Sequence, residues 1–130
     1  MTESARSSTW LRLAVVYFVV GVTLGIVMGA SGDHSLMPVH AHINLLGWVS
    51  MTLFALIGRF CPATQQGRIA KLQFWLYNLS VPTLLVLLTA LMRGNEALGP
   101  VVGVASVVVG VAVLLFAYLV FTGVKAPAAA

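Results

Sequence analysis

The 130 residues are 60% hydrophobic and only 8% charged, with a mean hydropathy of +1.02. A soluble domain carries about a quarter charged residues, so this chain lacks the polar surface to cover itself in water; a soluble enzyme, a disordered tail and a nucleic-acid binder are excluded. With so few charges, the formal net charge of +4 is a membrane-topology signal and not a nucleic-acid footprint.

Four apolar stretches follow in chain order, each about 20 residues or slightly longer, enough to cross a hydrocarbon core of roughly 30 Å as a helix. The first, 10–30, is broken only by Arg12. It exceeds the roughly 7–15 apolar residues of a signal peptide and carries Gly21, Gly25 and Gly29 at small-xxx-small spacing. Such a stripe suits close helix approach and points to a retained span. The second, 38–60, opens on Pro38, well suited to a first helical position, and holds His40 and His42 near its start. The third, 71–92, contains Pro82, which predicts a kink and an orphaned Asn78 carbonyl that Asn78, Ser80 or Thr83 could help satisfy. The fourth, 98–122, has a small-residue stripe of Gly99, Gly103, Ser106 and Gly110. The Ala-rich tail after Lys125 reads as frayed.

The reading is therefore an all-α integral membrane protein, a four-transmembrane-helix bundle forming one membrane domain over 1–130. All basic residues except Arg93 flank the first helix start, the middle loop or the end of the fourth helix. That asymmetry places both termini on the cytoplasmic side of a bacterial-type inner membrane. The first loop, with Asp33 and His34, then faces outward with the start of the second helix. Cys61 is the only cysteine and sits beside Pro62 at the opposite end from the histidines, where it reads as inert.

All 3 histidines, His34, His40 and His42, lie close together in sequence, and ionisable groups near a membrane span point to function. Residues two apart on a regular helix diverge by about 200°, so His40 and His42 do not readily chelate one ion. His40 shares a face with Asn44, Gly47 and Met51; His42 shares the other with Leu46, Val49 and Leu53. A histidine above an apolar stripe suits a flat, mostly apolar cofactor ligated at one point, and haem is such a cofactor.

The run His42-Ile43-Asn44-Leu45-Leu46, followed by Gly47-Trp48, resembles the start of the second transmembrane helix of haem-copper oxidase subunit I, in its nitric oxide reductase and cbb3-type branch. Phe74-Trp75-Leu76-Tyr77-Asn78-Leu79 is similar to the family's third helix, and Tyr17-Phe18-Val19-Val20 to its first. The chain thus looks like a miniature of the family's first four helices. The resemblance implies that His42 is an axial ligand of haem b. It also implies that the haem-copper catalytic centre is absent, because no histidine follows His42.

The leading expectation is a small haem b membrane protein for electron transfer or for binding or sensing a diatomic gas, not a complete oxidase or reductase. His40, His34 or Met37 stand as possible second ligands; His40, Asn44, Trp48 and Arg93 are further cofactor-site candidates, with Arg93 as propionate partner. Expected partners are membrane lipid, further copies of the chain meeting through the glycine stripes, and a redox partner or quinone. Two alternatives stand open: an outer-surface copper module using His34 and His40 with Met37, since imidazole and thioether suit copper, and a haem-free structural or accessory subunit.

Overall fold

The computed structural model describes residues 3–124; Lys125 and the Ala-rich tail lie outside the described residues. Five α-helices, α1 (Glu3–Ser31), α2 (Met37–His42), α3 (Met51–Phe60), α4 (Gly67–Met92) and α5 (Gly99–Gly123), are joined by a π-helical segment, Ile43–Ser50, and two 3-10 turns, Pro62–Gln65 and Glu96–Leu98. No strand occurs among the described residues. Because α2, the π segment and α3 form one rod, 4 helices are long and apolar enough to cross a membrane: Ala5–Ser31, Met37–Phe60, Gly67–Met92 and Glu96–Gly123. The helices outrun the apolar stretches, α1 starting before Trp10 and α4 before Lys71. Hydropathy marks only the part suited to hydrocarbon, whereas residues such as Arg6 and Arg68 extend a helix beyond it at little cost in propensity.

Aromatic rings tie the helices together. Trp10 of α1 is fully buried and meets Phe54 of α3 at 5.1 Å and Phe74 and Tyr77 of α4 at 4.9 and 5.7 Å, all edge to face. Phe54 also packs on Phe116 of α5 at 4.2 Å. Lipid tails are as apolar as side chains, so burial alone gives little drive for helices to associate in a membrane. Oriented ring pairs, each worth about 0.5–1.5 kcal/mol beyond their area, are well suited to fix these helices against one another.

The connection after α3 folds back into the bundle. Thr64 and Gln65 are buried, Gln65 Nε2 donates to the Phe54 carbonyl at 3.2 Å, and the Gln65 carbonyl accepts from Arg6 Nη1. A Cβ on Gly58 would lie 2.5 Å from the Gln65 side chain, so the glycine is what admits the plug. In α4 the helix continues unbroken through Pro82. The three side chains expected to help satisfy the Asn78 carbonyl turn elsewhere: Asn78, Ser80 and Thr83 bond back to Phe74, Tyr77 and Leu79 at 2.8, 3.5 and 2.7 Å. Short polar side chains on a helix reach the preceding turn of their own helix most readily.

Candidate functional site

Pro38 lies in the first turn of α2, and its carbonyl sits 2.7 Å from His42 Nδ1. A carbonyl only accepts, so His42 carries a proton on Nδ1, and the neutral form of this ring presents its lone pair at Nε2. Metal-binding imidazoles are typically held in this way, the second ring nitrogen donating to a backbone carbonyl. The ring is exposed and borders a groove of about 330 Å³ between the rod and α5, with Leu45, Leu46, Leu84, Ser106, Val109 and Gly110 among its walls. Apart from His42 and Ser106, this lining is apolar. A Cβ on Gly110 would meet nothing within 4 Å, so the α5 wall stands open.

His40 turns to α1 instead. Its Nδ1 donates to the Gly21 carbonyl at 3.0 Å, while Asn44 Nδ2 donates to the His40 carbonyl at 2.9 Å. Two glycines of the first stripe, Gly21 and Gly25, receive these two side chains. A Cβ on Gly21 would lie 2.7 Å from the Asn44 amide, and one on Gly25 would lie 2.9 Å from the His40 ring. Gly29 and the α5 glycines Gly99, Gly103 and Gly110 face open space.

The π segment begins immediately after His42. Its i to i+5 register is rare and often sits at functional sites. Ser50 Oγ donates to the Leu45 carbonyl at 2.7 Å, and the Tyr77 hydroxyl, from α4, donates to the Leu46 carbonyl at 3.0 Å. Gly47 presses on Tyr17, and Trp48 packs on Phe18 at 4.6 Å with the rings tilted by 31°. Trp48 therefore faces α1 and does not line the His42 groove. Sequence reasoning missed the π register. The hint in the sequence is Gly47, a weak helix former in the middle of the segment.

The remaining candidates lie apart from the groove. His34 is exposed, its Nδ1 3.0 Å from the Gly32 carbonyl, and Met37 is exposed at the start of α2. Arg93 is exposed just past α4. The Ser35 N–H, donating to Asp33 Oδ1 at 2.9 Å, holds the Asp33 carboxyl below its ordinary range, with Arg93 and His34 acting in the same direction. Arg93 thus shares the loop end of the bundle with Asp33, and the structure brings together His40 with Asn44, and His42 with the α5 groove.

Among the described residues no three His, Cys, Asp or Glu side chains gather as a metal-holding group. A single axial imidazole needs no such group. Comparisons with protein-family models, curated proteins and solved structures found no match for this chain.

Proposed function

We propose that the chain is a small haem b-binding membrane protein, with His42 as an axial ligand and the groove between the rod and α5 as the cofactor's seat. The observation that carries this reading is the His42 ring: Nδ1 anchored on the Pro38 carbonyl, beside an apolar groove whose far wall is Ser106, Val109 and Gly110. One imidazole above apolar walls is the donor set haem requires, and the groove falls at the lower end of the size range of small-molecule sites. Bound haem would supply a one-electron iron couple or, with one position open, a site for a diatomic gas. The chain's own part is to hold the imidazole in one tautomer, exclude water from the groove and fix the ring's direction through Pro38. His40 and Asn44 would serve indirectly, by locking α2 onto α1. By loop charge asymmetry, the His42 end faces outward from a bacterial-type inner membrane.

Absorption spectra of the detergent-purified protein, oxidised and dithionite-reduced, test the reading. The wild type should show a Soret band and b-type α and β bands; His42→Ala should lose them. Gly110→Leu should also lose them while the helical fold persists, because its side chain enters open space in the groove. Carbon monoxide added to the reduced protein then separates an open gas site from an electron carrier. A haem-free protein after expression with ample haem, or bands that survive His42→Ala, would overturn the assignment.

A further inference from the structure

A second groove lies between α1 and α4, and nothing about the histidines bears on it. α1 and α4 meet through the Trp10 and Phe74 rings at 4.9 Å, yet among the described residues their Cα atoms nowhere come within 8 Å. The crevice between them opens, at the end where α1 begins, into a mouth of about 520 Å³ bordered by Arg6, Arg68, Lys71, Phe74 and Trp75. Phe74 and Trp75 also line the next compartment, of about 490 Å³, which runs past Leu13, Tyr17 and Leu79 to Pro82. The two adjoin at Phe74 and Trp75, giving the crevice a cationic head and an apolar body.

Three further features define what fits it. Arg68 and Lys71 are exposed and, three apart, share one face of α4. α4 begins there with Gln66 as its N-cap and no side-chain cap, so first-turn N–H groups and the positive end of the helix dipole join the cations at the mouth. From Lys71 to Pro82 the helix rises about 16 Å, and the apolar crevice continues past Pro82 along Val16, Val20, Leu85 and Val86, so it is long enough to follow an acyl chain through the roughly 15 Å half-thickness of a hydrocarbon core.

We propose that this crevice binds one anionic phospholipid, its phosphate held by Arg68, Lys71 and the start of α4, with an acyl chain along Phe74, Trp75, Leu79 and Pro82. A zwitterionic lipid offers the same phosphate but brings its own cation to a mouth that already holds three basic side chains. Charge complementarity therefore selects a head group with net negative charge.

The test is native mass spectrometry of the full chain in detergent, titrated separately with phosphatidylglycerol and phosphatidylcholine. The wild type should retain one phosphatidylglycerol and prefer it to phosphatidylcholine at least tenfold. Arg68→Gln with Lys71→Gln removes two exposed charges and should weaken binding about thirtyfold, about 2 kcal/mol at roughly 1 kcal/mol per cation. Leu79→Trp fills the crevice while leaving the mouth intact; with its helical circular dichroism unchanged, it should lose the lipid about tenfold. Equal binding of the two lipids would overturn the proposal, as would a dimer that excludes lipid from the crevice. So would undiminished binding by the double Gln variant, or by Leu79→Trp, the latter showing adsorption at the charged surface only.

Discussion

Gly47→Ala is the sharpest test of how the rod meets α1. The new Cβ would lie 2.3, 2.4 and 2.6 Å from Tyr17 Cγ, Cδ1 and Cβ, where carbon atoms prefer about 3.5–4.0 Å. Because Tyr17 Cβ is fixed to the backbone, rotating the ring cannot clear the clash, and α1 must withdraw by about an ångström. That movement stretches the 3.0 Å bond from His40 to the Gly21 carbonyl beyond hydrogen-bonding range. Overpacking costs about 1–3 kcal/mol and the lost bond about 0.5–1.5 kcal/mol. Alanine's better helix propensity returns about 0.8–1 kcal/mol. The net is a loss of about 2 kcal/mol, measured by unfolding in mixed detergent and SDS micelles with far-ultraviolet circular dichroism. Gly103→Ala, whose Cβ meets nothing within 4 Å, serves as the control and should be neutral to mildly stabilising. A Gly47→Ala protein within about 0.5 kcal/mol of wild type would refute the close approach and the reasoning built on it.

Two more substitutions separate structure from site. His40→Ala removes the Gly21 bond and the ring over Gly25, and should cost about 1–2 kcal/mol in the same titration while leaving any haem bands in place; loss of those bands would exchange the roles of the two histidines. Tyr77→Phe leaves the Leu46 carbonyl without its 3.0 Å partner and should lower stability by about 1–2 kcal/mol; an unshifted unfolding midpoint would show that this carbonyl finds another donor.

The helical class and the four apolar stretches were legible in the sequence because hydropathy over twenty residues is a bulk property. What failed was local and depended on partners. Gly21-Gly25-Gly29 and Gly99-Gly103 share one spacing, yet only Gly21 and Gly25 receive a neighbour. The difference lies in His40 and Asn44, which are distant in sequence. The segment Pro62–Gln65 reads as an ordinary polar loop, and its burial depends on room left by Gly58. His42 was legible as a candidate from residue type alone. Its groove was not, because Gly110 and Ser106 become a wall only once α5 is docked.

The π segment also sets an angle. Each residue in an i to i+5 register advances the chain around the axis by less than the roughly 100° of an α-helix, so Ile43–Ser50 acts as an angular spacer within the rod. It lets Met51, Phe54 and Ala55 aim at the aromatic core while His42 aims at the α5 groove. The same eight residues wound as plain α-helix would turn further about the axis, so with the lower half held in place His42 would swing away from the groove. The direction in which the imidazole points is therefore written in the eight residues beneath it as much as in the histidine.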